Sequence, residues 1–256
     1  MKTLIIGDTH LMCRLILPRV SEFILELDIK RVILTGDYTD QWGGTNRDDW
    51  YQDDLRFLYR WKQEMISQRI EVILLTGNHD IPYLTNQPAY YSAENPATFQ
   101  WIREMLFDLE LQIAYQLGDF LISHAGYTED YRLEEWHLET LTPEHEGGLI
   151  WLNRHVGLSR SGTYVTGSPV WADLNYDLLP FYNKDYPLQI VGHTPIANID
   201  INQTIIGIDS FSLTRSHFPV GSGEMLLYED GKLSVIENIS WNSDANQKAI
   251  NRYFEV

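Results

Sequence analysis

The sequence predicts an α/β fold, because short apolar runs alternate with longer amphipathic runs along its 256 residues. Hydrophobic residues make up 44% of the chain and charged residues 21%, a balance typical of globular proteins with a substantial core. The formal net charge of −17 excludes a global basic face for nucleic acid. The same charge disfavours attraction to an anionic membrane surface.

The predicted cellular compartment follows from two further features. Cys13 is the one cysteine, so it cannot form an internal disulfide, which favours a reducing compartment. The first apolar run is too short for a signal peptide, and no stretch approaches the roughly 20 apolar residues that cross a bilayer. We therefore expect a cytoplasmic protein.

The first half of the chain alternates strand and helix. Apolar runs predict strands at 4–6, 32–34 and 72–75. Amphipathic stretches predict a helix over 20–27, with Pro18 tolerated near its first turn, and a long helix over about 49–68, in which apolar residues recur every three or four positions. A third helix is expected over 99–106.

The second half is predicted to add strands at 120–122, 188–191 and 205–208. Residues 225–228 and 233–236 flank Asp230-Gly231, a pair typical of a tight hairpin turn. Helices are expected near 129–138 and 144–154, and 156–169 is predicted to be a loop because it is rich in Gly, Ser and Thr. The last 15 or so residues carry no clear pattern.

Five of the predicted strands run directly into loops that carry polar, metal-ligating residue types. These residues are Asp8, His10, Asp37, Asp40, Asn78, His79, His124 and His193. If the strands point the same way, their carboxyl ends share an edge, and ligand sites of α/β sheets form at that edge. Glycines beside four of these residues permit tight turns and close backbone approach.

The chemistry of these side chains favours a metal site. Carboxylate, imidazole and amide ligands suit manganese, iron or zinc, whereas a single cysteine excludes a thiolate site. A pair of metals needs a shared ligand, and we expect Asp37 to bridge them. The remaining histidines lack such a context and are interpreted as surface or core residues: His137, His145, His155 and His217.

The motifs, in order, resemble those of the calcineurin-like metallophosphoesterases. They are Gly-Asp-Thr-His, Gly-Asp-Tyr-Thr-Asp, Gly-Asn-His-Asp, Ser-His-Ala-Gly and Gly-His-Thr-Pro. The likeness is greatest to the phosphoprotein phosphatase branch, which includes serine/threonine phosphatases and diadenosine tetraphosphatase-like enzymes, and residues 206–210 extend it. The resemblance implies a four-layer α/β/β/α sandwich. We expect one domain over 1–256, in which 125–187 is either a packing layer or a specificity insertion.

The resemblance also implies a role for each site residue. Asp8, His10 and Asp37 would hold one divalent metal. The second metal would be held by Asp37, Asn78, His124 and His193. Manganese is favoured, with iron, zinc or nickel as alternatives. His79 would be the general acid, oriented by Asp40, and members of this type cleave phosphate esters by direct in-line attack of a metal-bridging hydroxide.

Two departures from the family pattern bear on the substrate. Gln41-Trp42-Gly43 follows Asp40 where the family has Arg-Gly, so the arginine that grips the phosphate is missing. The candidates to replace it are Arg47, Arg154, Arg160 and Lys184. Pro195 stands where nucleases and cyclic-nucleotide phosphodiesterases of the wider superfamily have a second histidine, which argues against that branch.

These features predict a phosphatase acting on a phosphorylated small molecule, a nucleotide or a phosphoprotein. The alternative is a nucleotide or dinucleoside-polyphosphate hydrolase, and a weaker one is a non-catalytic metal-binding module. Nucleic acid is disfavoured as a partner because phosphate contacts dominate its affinity and the chain is acidic. No membrane partner is expected.

Overall fold

Two β-sheets lie face to face in the computed structural model, which describes residues 1–255. The strands are β1 (Thr3–Ile6), β2 (Arg31–Leu34), β3 (Glu71–Leu74), β4 (Ala114–Leu117), β5 (Phe120–Ser123), β6 (Gln189–Val191), β7 (Ile205–Gly207), β8 (Met225–Glu229) and β9 (Lys232–Ile236). The first sheet has the order β3-β2-β1-β8-β9, and the second has the order β4-β5-β6-β7. Within them, β1, β2 and β3 are parallel to one another, as are β5, β6 and β7.

The helices lie mostly outside the sheets. They are α1 (Cys13–Leu27), α2 (Asp48–Ser67), α3 (Ile81–Leu84), α4 (Pro96–Asp108), α5 (Glu146–Arg154), α6 (Leu179–Phe181) and α7 (Asp244–Tyr253). Successive strand residues point to opposite faces, so Leu4 and Ile6 pack against the helices while Ile5 faces the second sheet. There it shares an apolar layer with Ile122 and Ile190.

The outer face of the second sheet is covered by the segment 125–187. Tyr127 and Tyr131 pack on one part of this face, and Leu174 and Leu178 on another. The layers therefore follow the predicted order of helices, sheet, sheet and helical layer. This last layer is irregular, because it is built mainly from 3-10 turns and one π-helical turn over Leu174–Leu178.

Several predicted elements are confirmed. Helix α2 matches the predicted 49–68, α5 matches 144–154, and the β8–β9 hairpin turns at Asp230 and Gly231, both of which have positive φ. The predicted helix over 129–138 is wrong: a 3-10 turn over Glu135–Leu138 is the helical part. Strand β4 and helix α7 were not predicted.

No helix among residues 1–255 combines the length and the apolar character needed to cross a membrane.

Helix α1 begins at Cys13, well before the predicted residue 20, and Pro18 lies inside it. The cause is a cap from another helix. Asp54 of α2 is fully buried and accepts the backbone N–H groups of Cys13 and Arg14, each at 3.0 Å. The same carboxylate accepts the Tyr253 hydroxyl of α7 at 2.6 Å, so it joins three helices. A tertiary cap of this kind leaves no local sequence signal.

This geometry predicts that Asp54→Ala lowers the free energy of unfolding by about 2–3 kcal/mol, because two backbone N–H groups and one tyrosine hydroxyl lose their acceptor. Denaturant unfolding followed by far-UV circular dichroism measures the change. The exposed neighbour Asp53 supplies the control, since Asp53→Ala should cost about 0.5 kcal/mol or less. Equal unfolding midpoints for the two variants would show that Asp54 does not hold these helices together.

Candidate metal centre

The carboxyl ends of β1, β2 and β3 meet those of β5 and β6 at the edge shared by the two sheets. The contacts between the loops are direct. The N–H of His193 donates to Asp8 Oδ2 at 3.0 Å, and His124 Nδ1 lies 3.0 Å from the Thr35 carbonyl oxygen. The structure therefore brings together residues from positions 8 to 193 of the chain.

The side chains form two groups, each compact enough for one ion. The first group consists of Asp8, His10 and Asp37, and the second consists of Asp37, His124 and His193. Within each group the nearest ligand atoms lie within 4.8 Å of one another. Asn78 joins the second group, because its Oδ1 lies 3.0 Å from His124 Nε2.

Asp37 is the residue common to both groups. Its Oδ1 accepts the N–H of His79 at 2.9 Å, which fixes the plane of the carboxylate. Its Oδ2 lies 3.6 Å from His10 Nε2 and 3.5 Å from His124 Nε2. The second oxygen thus sits between the two imidazoles, one from each group.

The hydrogen bonds of the histidines decide which nitrogen faces the cluster. His124 Nδ1 lies against the Thr35 carbonyl, and His10 Nδ1 lies 3.0 Å from the Asp40 carbonyl. A carbonyl only accepts, so both Nδ1 atoms carry the proton, and each Nε2 presents a lone pair.

Several potential ligand atoms therefore converge in a buried space. His124 Nε2 faces Asn78 Oδ1 at 3.0 Å, His193 Nδ1 at 3.1 Å and Asp37 Oδ2 at 3.5 Å. When Asp37 is ionised, its carboxylate and the Nε2 atom of His124 can only accept, and such groups repel unless a proton or a cation lies between them. Oxygen and imidazole donors at this density fit a divalent metal such as manganese, iron or zinc.

Burial governs the titration of these groups. It lowers the pKa of His10 and of His124 to about 3 and moves the pKa of His193 well below its usual range. These imidazoles are therefore neutral, as metal ligation requires. Burial also raises the pKa of Asp37 to about 8, and that of Asp8 well above its usual range, helped in the latter by the charges of Asp209 and Asp37. A bound cation would offset the free-energy cost of ionising these two buried carboxyl groups.

His79 and Asp40 form a separate pair beside the cluster. His79 Nδ1 lies 3.1 Å from Asp40 Oδ2, and the hydroxyls of Tyr51 and Tyr83 both donate to Asp40 Oδ1. Burial disfavours the charged form of His79, but the charge of Asp37 and the hydrogen bond that His79 donates to Asp40 outweigh it and raise its pKa to about 9. The pairing with Asp40 thus favours the protonated form of His79.

The backbone around the cluster is unusual. Four of the site residues have positive φ, at 41° for His10, 53° for Asp37, 59° for Asp40 and 62° for His193. Non-glycine residues seldom adopt this conformation, and such strain clusters at functional sites. Gly77 is needed for a different reason, because a Cβ there would lie 2.0 Å from Asp37 Oδ1.

Two carboxylates with no assigned role in the sequence interpretation also shape the site. Asp80 accepts the N–H groups of Asp37, Tyr38, Thr39 and Gly77, so it ties the second motif to the third. Asp209 lies near Asp8 and is bound by Ser212. The signal available in the sequence was that Asp80 ends the Gly-Asn-His-Asp motif and that Asp209 lies within residues 206–210, which extend the family resemblance.

A cleft of about 460 Å³ opens over His10, Asp37, His79 and His193. Of the four basic residues considered as replacements for the missing arginine, Arg160 is the one that lines this cleft, among the residues that the structure describes. Its Nη2 lies 3.0 Å from Thr194 Oγ1 and 3.0 Å from Asp173 Oδ2. Arg47 instead pairs with Asp49 and Glu255.

Two facing sheets with a candidate dinuclear centre at their shared edge define a phosphoester hydrolase of the metallophosphoesterase fold. The chain belongs to the calcineurin-like phosphoesterase family, whose model matches residues 1–197. No protein of curated function matches the sequence significantly.

Two solved structures are similar in fold. A cold-active protein-tyrosine phosphatase of a psychrophile, Shewanella sp., is 16% identical with a TM-score of 0.60, over 93% of this chain and 78% of that one. A protein serine/threonine phosphatase from Saccharomyces cerevisiae, with similarity to human phosphatase PP5, is 12% identical with a TM-score of 0.52, over 92% of this chain and 78% of that one. At these identities the likeness concerns the fold.

Proposed function

We propose that this hydrolase is a dimetal-dependent phosphatase that cleaves phosphomonoesters by direct in-line attack of water on phosphorus. The observation that carries the proposal is the position of Asp37 Oδ2, 3.6 Å from His10 Nε2 and 3.5 Å from His124 Nε2. One carboxylate oxygen between two imidazole lone pairs is the arrangement that a bridging ligand needs.

The proposed ligand sets follow from the two groups. Asp8, His10 and Asp37 hold one divalent ion. The other ion is held by Asp37, Asn78, His124 and His193. When bound, two such ions lower the pKa of water from about 15.7 toward neutrality and neutralise charge on the phosphate. Manganese is our first choice, since mixed oxygen and imidazole ligands suit it, and iron, zinc and nickel are alternatives.

His79 is the proposed general acid. Because Asp40 holds its Nδ1, the remaining nitrogen, Nε2, is free to protonate the oxygen that leaves phosphorus. Asp40 acts through His79: it fixes the ring and favours its charged form, and Tyr51 and Tyr83 keep Asp40 in place.

Arg160 is the proposed phosphate anchor. A guanidinium matches phosphate geometry, and Arg160 reaches the cleft from the segment 125–187. We therefore propose that this segment is a specificity insertion within a single domain over 1–256.

We also propose a cytoplasmic location, because the lone cysteine is buried and unpaired, as is usual in a reducing compartment.

The shared ligand can be tested by metal content. Wild-type protein reconstituted with manganese should hold about two ions per chain, whereas Asp37→Asn should hold fewer than one, because both sets lose a charged donor. Elemental analysis after desalting measures the ratio, and the exposed Asp53→Asn is the matched control. If the Asp37→Asn variant holds as much manganese as the wild type, Asp37 is not the bridging ligand.

The general acid can be tested by leaving-group dependence. His79→Ala should keep its metals but lose about 10²–10⁴-fold in kcat on an alkyl phosphate, whose leaving oxygen needs a proton. The loss should be much smaller on p-nitrophenyl phosphate, whose leaving group departs as a stable anion. If the variant turns over the alkyl ester at the wild-type rate, another residue supplies the proton.

The pH dependence of kcat tests the role of Asp40. His79 must be protonated to act, so kcat should fall as the pH rises through its pKa, which the hydrogen bond to Asp40 raises. Asp40→Asn removes the negative charge that favours the imidazolium, so its alkaline limb should move to lower pH. A limb that stays in place or moves upward contradicts the pairing.

A further inference from the structure

The cleft over the candidate metal centre has aromatic walls. Its lining includes four aromatic residues, Trp42, Tyr90, Tyr91 and Trp171, together with the proposed acid His79. Tyr90 is 96% exposed and Trp42 is 47% exposed. Aromatic faces that line a cavity are suited to cover a planar apolar group of a ligand.

These aromatic residues divide between the two sides of the cleft. The Tyr91 ring centroid lies 4.3 Å from that of His79, and the Tyr90 ring lies 5.0 Å from Tyr91. Trp171 instead lies 5.8 Å from His193, on the side where Arg160 bonds Thr194. The leaving oxygen must approach His79, so the group attached to it lies beside Tyr90 and Tyr91, with the phosphate toward Arg160.

Trp42 is held in place rather than merely exposed. Its Nε1 donates to the Leu213 carbonyl at 3.1 Å, and its own carbonyl lies 3.2 Å from His217 Nε2. The Arg215 guanidinium lies 5.0 Å from the indole centroid. Trp42 occupies the stretch in which the family carries Arg-Gly, so an aromatic wall stands near the position of the missing cation.

The charges around the cleft limit the number of phosphates it can take. Arg160 is the one arginine or lysine among the described residues that line it, and Asp173 already shares that cation at 3.0 Å. The chain carries a net charge of −17. A polyphosphate would bring several further negative charges to a cleft lined by one arginine, with Arg215 the further cation near Trp42, whereas a single phosphate needs fewer cationic partners.

We infer that the substrate is a phosphomonoester whose leaving group carries a planar aromatic ring. This inference rests on the proposed function. Water forms the new bond to phosphorus, the bond to the leaving oxygen breaks, and that oxygen takes a proton from His79. The products are inorganic phosphate and an aromatic alcohol, whose ring stacks between Trp42 and the Tyr90–Tyr91 pair.

The first experiment compares substrates on the manganese-loaded wild-type enzyme. Phenyl phosphate and adenosine 5′-monophosphate are the two aromatic arms, phosphoserine is the non-aromatic arm, and diadenosine tetraphosphate is the polyphosphate arm. An aromatic monoester should have the highest kcat/KM, and the better of the two arms identifies the kind of ring. Preference for phosphoserine or for diadenosine tetraphosphate overturns the inference. If no phosphomonoester is hydrolysed with any metal, the proposed function fails as well.

The second experiment separates stacking from the intrinsic reactivity of aryl esters. Binding of phenylphosphonate and of methylphosphonate, neither of which is hydrolysed, is measured by calorimetry. The wild type should bind the phenyl compound at least about fivefold more tightly, since the smallest contribution of one aromatic stack corresponds to about that factor. Tyr90→Ala and Trp42→Leu should each reduce this ratio.

Tyr176→Ala is the matched control, because Tyr176 is 73% exposed but does not line the cleft. Its phenyl-to-methyl ratio should equal that of the wild type. Tyr90→Ala cannot fail through misfolding, since the side chain is almost fully exposed. An unchanged ratio in both Tyr90→Ala and Trp42→Leu overturns the aromatic assignment and leaves the proposed phosphatase activity standing.

Discussion

The structure depends on one electrostatic constraint. The ligand atoms of Asp37, Asn78 and His193 lie 3.0–3.5 Å from His124 Nε2 in a buried space, where an ionised Asp37 is poorly solvated. Such an arrangement is costly by itself and becomes favourable around a cation. A divalent metal held by these side chains would offset that cost.

The scaffold meets this cost by fixing the atoms that do not face the cluster. The Thr35 and Asp40 carbonyls hold the protonated nitrogens of His124 and His10, and backbone N–H groups hold one oxygen each of Asp8 and Asp37. The ligand atoms are therefore oriented before any ion arrives, which limits the reorganisation that binding requires. The positive φ angles of His10, Asp37, Asp40 and His193 add backbone strain to the free-energy cost of this arrangement.

Much of this arrangement could be predicted from the sequence, because it depends on local patterns. Apolar runs that end in ligand-bearing loops indicate strands whose carboxyl ends share an edge, and the structure brings Asp8, Asp37 and His193 together there. What could not be predicted depends on distant contacts. The start of α1 is set by Asp54 from another helix, and strand β4 forms as an antiparallel edge beside β5.

The residues that line the cleft could not be predicted either, because their positions also depend on contacts between distant parts of the chain. Arg160 lies in a loop rich in Gly, Ser and Thr, and four basic residues were equally plausible from the sequence. Its position is set by Thr194 and Asp173, which the chain places far from one another. Likewise, Trp42 reaches the cleft because Leu213 and His217 hold it, and neither contact leaves a trace in the sequence around it.

Anomalous diffraction from a crystal grown with manganese tests the central claim most directly. The account predicts two anomalous peaks about 3.5–4 Å apart, one on the His10 side of Asp37 Oδ2 and one on the His124 side. A crystal that shows no manganese at this edge of the sheets, or ions that Asp37 does not touch, would contradict it.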